Sequence, residues 1–374
     1  MRFFHSSDWH LGKSLCNVSL LDDQAAALEE ILRMVRDSRP DAFVLAGDVY
    51  DRAVPPKEAV RLLDDFLVRL IRDEGVPMLM IAGNHDSPER LSFGSRFLED
   101  QKLFVAGRCA PTSAPIVIQD VAFHLLPFGD PATVRFDLAQ DDIRSHQDAL
   151  AAQASQAAAK HPDGLRSVAV AHAFVIGGLE SESESTISVG GTGEVDAKTF
   201  QFFDYTALGH LHRPQAPSSQ VRYAGSLLKY SASEADHRKS ITLVELPSTG
   251  AVQTTALPFT PRRDLRRVRG LCQDLLAGSD PGNREDYVFV ELLDRGPVVD
   301  AMARLRQIYP NLLGLHLQDL ADGESGLSAV DHRSLDPEAL FARFFEETMG
   351  EALSQEERDV YREILSETEN ARCE

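Results

Sequence analysis

The sequence contains few cysteines and no apolar run long enough to cross a membrane. Its cysteines are widely spaced and form no Cys-x-x-Cys pair: Cys16, Cys109, Cys272 and Cys373. A chain of 374 residues does not need disulfide staples, so this usage indicates a reducing compartment. The most apolar stretch, 168–179, is too short for a bilayer, and residues 1–5 lack the apolar region of a signal peptide. We therefore expect a soluble cytoplasmic protein without membrane contact.

Basic residues are also scarce. The chain has 38 Lys+Arg against 58 Asp+Glu, for a net charge of −20 at pH 7. Such a charge repels a polyanionic substrate unless metal ions or a basic partner supply the attraction. With 43% hydrophobic residues the chain can bury a sizeable core, and its length predicts one large domain with one or two smaller ones.

Three predicted strands in the first half, at 2–7, 42–46 and 76–81, each end in polar residues and lead into a helical pattern. The third is the most marked, because its apolar run stops at Gly83-Asn84-His85-Asp86. In open α/β sheets, functional side chains lie at such carboxyl ends. Alone, this tetrapeptide is equally well explained as a tight loop whose polar side chains bond the backbone.

The second half is mostly β. Strands are predicted at 116–118, 121–126, 168–171, 204–208, 221–224 and 240–246, with an exposed helix at 140–160 and a polar loop at 177–193. Beside the αβ first half, this pattern predicts an α/β (α+β) fold of two packed β-sheets flanked by helices.

The polar residues at the predicted strand ends share metal-ligand chemistry: Asp8, His10, Asp48, Asn84, His172, His210 and His212. Carboxylate, amide and imidazole donors without thiolate suit manganese, iron or zinc at open sites, and seven donors exceed the need of one ion. Strand alternation predicts that the two residues of each Asp-x-His or His-x-His pair point the same way. Taken alone, His172 would be better explained as a core histidine whose hydrogen bonds are satisfied. The metal-ligand residues at the other strand ends favour His172 as a ligand.

In this order, Asp-x-His, Gly-Asp-x-x-Asp, Gly-Asn-His-Asp, a single His and Gly-His-x-His resemble the calcineurin-like metallophosphoesterases. Among them, Ser-Ser-Asp-Trp-His-Leu-Gly at 6–12, Ala-Leu-Gly-His-Leu-His-Arg-Pro-Gln at 207–215 and Tyr-Ala-Gly-Ser at 223–226 are similar to the bacterial DNA nucleases that work with a coiled-coil ATPase. The resemblance implies a two-metal DNA exonuclease and endonuclease at the nucleoid, in which the ions are Mn²⁺, with Fe, Zn or Mg as alternatives.

The resemblance also implies roles for single residues. One ion would be held by Asp8, His10, Asp48 and His212, and the other by Asp48, Asn84, His172 and His210. His85 would donate a proton or stabilise the transition state, and Asp86 would orient His85. Archaeal and eukaryotic relatives have a histidine where this chain has Asp51, which we expect to act only indirectly, for instance by positioning water.

Beyond residue 258 the phosphoesterase pattern ends. We expect a nuclease domain at 1–258, an α+β cap domain at 262–318 and a linker at 319–335. Five arginines crowd the start of the cap: Arg262, Arg263, Arg266, Arg267 and Arg269. These arginines could either contact the phosphate backbone of DNA or form a solvated basic face. The resemblance favours DNA binding.

Residues 336–374 are predicted to form a helical hairpin. Its first helix carries Phe341, Phe344, Phe345 and Met349 on one face, and Ser354-x-x-Glu357 is a capping box for the second. The hairpin either packs on the catalytic domain or, as the resemblance implies, binds the ATPase coiled coil within a heterotetramer that contains a homodimer of this chain. Two rival functions stay open: a phosphatase or small-molecule phosphodiesterase on the same core, and a scaffold without catalysis.

Overall fold

A computed structural model describes residues 1–110, 114–184, 193–294, 296 and 298–317, together with 341–342, 345, 354–355 and 357–361. The chain divides into two compact units, Met1–Gln318 and Asp319–Glu374. Among the residues just given, no helix has the length and apolar character that crossing a membrane requires.

The strands of the described residues are β1 (Arg2–Ser6), β2 (Ser14–Leu15), β3 (Val18–Ser19), β4 (Ala42–Ala46), β5 (Met78–Ile81), β6 (Leu103–Ala106), β7 (Ile116–Ile118), β8 (Val121–Leu126), β9 (Arg166–His172), β10 (Phe174–Val175), β11 (Glu194–Val195), β12 (Tyr205–Gly209), β13 (Val221–Tyr223), β14 (Ser240–Glu245), β15 (Gln253–Pro258), β16 (Leu265–Gly270), β17 (Tyr287–Leu292) and β18 (Leu312–Leu317). The α-helices are α1 (Leu21–Ser38), α2 (Lys57–Val68), α3 (Pro88–Leu91), α4 (Ser95–Leu98), α5 (Pro131–Leu138), α6 (His146–Ala159), α7 (Cys272–Leu276) and α8 (Ala301–Leu305).

Two mixed sheets form the large part of the first unit. One has the order β15-β14-β1-β4-β5-β6, in which β1, β4, β5 and β6 are parallel. The other has the order β13-β12-β9-β8-β7, in which only β7 is antiparallel to its neighbour. The carboxyl ends of β4 and β9 meet, because Nδ1 of His172 lies 2.9 Å from the carbonyl oxygen of Ala46.

The sheets pack face to face on a dry aromatic core. Phe3 lies edge-on to Phe123 at 5.3 Å and to Tyr205 at 5.8 Å, and all three rings are buried. Because successive strand residues face opposite sides, Phe4 points away from this core and packs on Phe43 beneath α1 and α2. Each buried ring stabilises the sandwich by about 1.5–3 kcal/mol.

Helices cover the outer faces. α1 and α2 pack on the first sheet, and α6 buries Leu150 and Ala154 against the second. The predicted fold of two packed sheets flanked by helices is therefore confirmed. The predicted exposed helix at 140–160 is shorter and partly buried, since Ser145 and Asp148 form a capping box that starts it at His146.

Helix α1 begins after Leu20, which holds the N-cap position, and the carboxylates of Asp22 and Asp23 lie in its first turn. There they complement the helix dipole, and Asp23 accepts a hydrogen bond of 2.7 Å from the hydroxyl of Tyr287.

A three-stranded parallel sheet, β16-β17-β18, ends the first unit. With α7 and α8 it encloses its own apolar core, which includes Val290 and Leu305. It also joins the larger core through Leu265 and Tyr287. In chain order the elements are β16, α7, β17, α8 and β18, so strands and helices alternate within 262–318.

In the second unit, the capping box between Ser354 and Glu357 is confirmed, because the backbone N–H of each residue donates to the side chain of the other. The rings of Phe341 and Tyr361 stack at 4.1 Å with an interplanar angle of 2°. Most of the predicted hairpin, including Phe344 and Met349, lies outside the described residues.

Candidate metal centre

Six of the seven predicted ligands lie just beyond a strand, and the seventh, His172, is the last residue of β9. Asp8, His10, Asp48 and His210 have φ of 52°, 45°, 49° and 106°, in the left-handed region that costs energy for residues with a side chain. Hydrogen bonds hold these turns, for instance from His10 N to Asp48 O at 3.0 Å and from His210 N to Asp8 Oδ1 at 3.0 Å. The expectation that strand alternation aims each pair was therefore wrong: turns beyond β1 and β12 do so.

Two glycines let these turns approach one another. A Cβ at Gly83 would lie 2.1 Å from Asp48 Oδ1, and one at Gly209 would lie 1.9 Å from the carbonyl oxygen of Ala46. Both contacts are shorter than real Cβ atoms allow, so a side chain at either position would push the loops apart.

Asp8, His10 and His212 form one buried group whose ligand atoms lie within 4.8 Å of one another. Nε2 of His10 and Nε2 of His212 face each other at 3.1 Å. At most one of these nitrogens can donate a proton to the other, whereas a divalent cation accepts both lone pairs. Nδ1 of His10 is also buried and has no hydrogen-bond partner among the described residues.

Asp48, Asn84, His172 and His210 form a second group. Asn84 Oδ1 lies 2.9 Å from His172 Nε2 and 3.3 Å from His210 Nδ1. Asp48 Oδ2 lies 3.5 Å from His172 Nε2 and 3.7 Å from His10 Nε2. One carboxylate oxygen thus faces ligands of both groups, and the structure brings all seven predicted side chains together.

The electrostatics of these groups fit a cation. Burial, with repulsion from Asp48, raises the pKa of Asp8 well above its usual value. Burial lowers the pKa of His10, His172, His210 and His212, so these rings present neutral nitrogens at pH 7. Neutral imidazoles beside crowded carboxylates are the protonation states that a divalent metal ion prefers.

His85 lies at the accessible side of the group. Its backbone N–H donates to Asp48 Oδ1 at 2.9 Å, and its Nδ1 lies 2.8 Å from the carbonyl oxygen of Asp51. Its ring meets that of His10 edge-on at 4.7 Å. The Asp51 carboxylate pairs with Lys13 at 2.8 Å and lies 3.8 Å from Nδ1 of His10. The backbone carbonyl and the carboxylate of Asp51 thus both lie against histidines of this region.

Asp86, which was expected to orient His85, makes its hydrogen bonds to the loop backbone. Its buried carboxylate accepts backbone N–H groups of Val49 at 3.1 Å, Tyr50 at 2.9 Å and Gly83 at 2.9 Å. Burial and repulsion from Asp48 raise its pKa to about 7. Asp86 thus joins the loop after β4 to the loop after β5, and the carbonyl oxygen of Asp51 contacts the His85 ring.

Sequence reasoning missed several residues that support the centre. Gln24 on α1 donates to the carbonyl oxygens of Trp9 at 3.1 Å and His10 at 2.8 Å. Glu234 lies behind His212, with Oε1 3.2 Å from Nδ1. Burial alone would raise the pKa of Glu234, but Lys239 and the His212 hydrogen bond lower it overall. Neither residue belongs to a recognisable motif, so only the fold could reveal them.

Arginines of the predicted basic cluster form ion pairs with acidic residues of the protein itself. Arg263 pairs with Asp23 at 3.2 Å, and Arg266 pairs with Asp286 at 2.7 Å. Arg262 and Arg269 have acidic neighbours too, but their side chains are 50% and 58% exposed. The cluster is thus not a uniform basic face.

Comparisons with known proteins agree with this geometry. Residues 1–214 match the family described as calcineurin-like phosphoesterase, and residues 261–349 match the type 5 capsule protein repressor C-terminal domain. The chain is 32% identical over 368 residues to the SbcD component of the nuclease SbcCD from Staphylococcus epidermidis, with 98% of each chain covered. A crystal structure of TT1561 of Thermus thermophilus aligns at 12% identity over 68% of this chain and 98% of that chain, with a TM-score of 0.36.

Proposed function

This chain belongs to the calcineurin-like phosphoesterases and, within them, to the SbcD family of nucleases; it is a metal-dependent nuclease, and we propose that it cleaves DNA at a centre of two manganese ions. In this proposal it is a double-strand exonuclease and single-strand endonuclease. It serves DNA end processing, hairpin cleavage, repair and recombination as part of an ATP-dependent complex.

The observation that carries the proposal is the position of Asp48. Its Oδ2 faces His10 Nε2 at 3.7 Å and His172 Nε2 at 3.5 Å, so one carboxylate can serve both groups of ligands. Asp8, His10 and His212 would complete one site, and Asn84, His172 and His210 the other. When bound, the two ions supply Lewis acidity to water and to the phosphate.

We assign His85 to the phosphate itself. The ligands other than Asn84 are buried, whereas Asn84 and His85 are only half-buried, so a phosphodiester would approach on their side. The Asp51 carbonyl holds Nδ1 of His85 at 2.8 Å, which fixes the ring and assigns Nε2 to the reaction. From there it can give a proton to the leaving oxygen or stabilise charge on the phosphate.

The rest of the chain would deliver and hold DNA. We propose 1–258 as the nuclease domain and 262–318 as a cap that guides DNA, with the half-exposed Arg262 and Arg269 contacting backbone phosphates. At net −20 the chain alone should bind DNA weakly. A partner with a basic surface would supply the missing attraction.

We further propose that residues 336–374, beyond a linker at 319–335, bind the coiled-coil root of an SbcC-type ATPase. Two copies of this chain would meet within that complex. The side chains of Phe93 and Phe97 are 87% and 86% exposed on the segment that follows the Asn84 loop. Exposed aromatic side chains grouped in this way are typical of an interaction surface.

A nuclease assay tests the central proposal. The chain is incubated with manganese and duplex DNA of defined ends, with and without its ATPase, beside an Asp48→Asn variant. We expect cleavage that the variant loses. If the wild-type chain instead hydrolyses a nitrophenyl phosphate ester and leaves DNA intact under all these conditions, the DNA proposal is wrong and the alternative, a phosphatase or small-molecule phosphodiesterase, is right.

A further inference from the structure

A buried carboxylate outside every motif stands behind one predicted metal ligand. Glu234 is fully buried, and its Oε1 lies 3.2 Å from Nδ1 of His212. The opposite nitrogen of that ring, Nε2, faces His10 at 3.1 Å. The carboxylate and the ligand position therefore lie on opposite sides of one imidazole.

A buried lysine accompanies Glu234. Lys239 is 7% exposed and its ammonium group donates to Glu234 Oε2, to Ser226 Oγ at 2.8 Å and to the carbonyl oxygen of His212 at 2.7 Å. Taking two charges out of water costs free energy that their attraction often fails to recover. The Glu234–Lys239 pair lies directly against His212, so its effect on the orientation of that ring explains it better than a contribution to folding stability does.

We propose that Glu234, held as a carboxylate by Lys239, is a positioning residue for His212. By accepting the Nδ1 proton it fixes the tautomer whose Nε2 bears the lone pair, and it fixes the ring plane. Carboxylates that accept the far N–H of a metal-ligating histidine act in this way. The inference rests on the proposed function, in which His212 is a metal ligand.

The structure makes the effect selective for one of the two ligand groups. In the second group, Nδ1 of His172 has a backbone partner, the carbonyl oxygen of Ala46 at 2.9 Å. Nδ1 of His210 lies 3.3 Å from Asn84 Oδ1, within the centre itself. Among the described residues, a buried carboxylate behind a ligand histidine is therefore found at His212 alone of these three.

Ser183 is a second possible acceptor for the Nδ1 proton of His212. Its Oγ lies 2.7 Å from Nδ1 of His212 and also donates to Glu234. A Ser183→Ala variant removes this relay but leaves the carboxylate at 3.2 Å. If Glu234 acts directly, that variant should keep nearly all of the wild-type metal affinity.

The test is calorimetric titration of manganese into metal-free full-length protein, with the paramagnetic signature of paired manganese ions as a second readout. We expect Glu234→Ala to weaken one of two binding events about 10- to 100-fold and the other little, and to lose the paired signature at low manganese. Glu234→Gln, which keeps a neutral acceptor, should lose less. Asp286→Asn is a matched control, because that buried carboxylate pairs with Arg266 and contacts no ligand.

Glu234→Ala leaves Lys239 unpaired and can fail to fold. A Glu234→Leu, Lys239→Met double variant removes both the acceptor and the unpaired charge and replaces the ion pair by apolar side chains, and we expect the same selective loss there. Equal weakening of both ions, or unchanged affinity in a folded double variant, would overturn the inference. A wild-type chain that binds no second manganese would instead overturn the proposed two-metal function, so the two failures are distinguishable.

Discussion

Replacing Asp86 by alanine should destabilise the loops of the metal centre rather than merely slow the reaction. The carboxylate is 6% exposed and accepts three backbone N–H groups, from Val49, Tyr50 and Gly83. A buried donor left without an acceptor costs about 1–3 kcal/mol. Water can enter the space that alanine leaves, so we take the lower value for each and expect a loss of about 3 kcal/mol in the free energy of unfolding.

The fluorescence of Trp9 is a local measure of this change. It is the single tryptophan of the chain, is fully buried and lies between the ligands Asp8 and His10. Urea unfolding of metal-free protein, followed through Trp9, should show an earlier transition in Asp86→Ala. The Asp86→Asn variant keeps one acceptor oxygen and should lose less. Manganese affinity should fall in Asp86→Ala as well, because the braced loops carry Asp48 and Asn84.

An Asp86→Ala protein that unfolds at the wild-type urea concentration and binds manganese normally, yet cleaves DNA slowly, would show that Asp86 does not hold these loops together. That result would return Asp86 to the role of orienting His85.

Four further predictions follow from the same geometry. His85→Ala should keep both metal ions by calorimetry and lose about 10²- to 10⁴-fold in cleavage rate; lost metal would make His85 a ligand. Asp48→Asn should weaken both binding events and reduce cleavage more than His85→Ala, since its Oδ2 faces both groups. Deleting 336–374 should abolish assembly with the ATPase in gel filtration and leave metal binding by the nuclease domain unchanged. If residues 1–335 unfold instead, the proposal that 336–374 bind the ATPase is wrong. Metal affinity should fall as pH is lowered below neutral, because burial raises the pKa of Asp8 and the metal must then displace its proton; titrations at two pH values measure this.

The sequence was sufficient where local pattern decides structure. The strand over 42–46 was predicted with its observed bounds, because a short apolar run lies between Pro40-Asp41 and Gly47. The seven predicted ligands could be grouped because each lies at the end of a strand or just beyond it. By contrast, the left-handed backbone at Asp8 and His10 depends on hydrogen bonds to a loop about 40 residues away, which periodicity does not encode.

The contacts of Asp86 and Glu234 could not be predicted from the sequence for the same reason. An acidic residue beside His85 is compatible with a contact to its ring, and only the packed loops reveal three backbone donors around it. Glu234 lies 22 residues from His212 in a segment without a motif. Long-range contacts of this kind are properties of the assembled fold.

The first turn of α1 carries two neighbouring residues with different attachments. Asp23 bonds Arg263 at the entry to the three-stranded unit, and Gln24 bonds the carbonyl oxygen of His10. These anchors are adjacent in the chain, so neighbouring residues of one helical turn contact both the start of the three-stranded sheet and the backbone of His10. The surface proposed to meet DNA and the loop proposed to hold metal are thus attached to the same turn of α1.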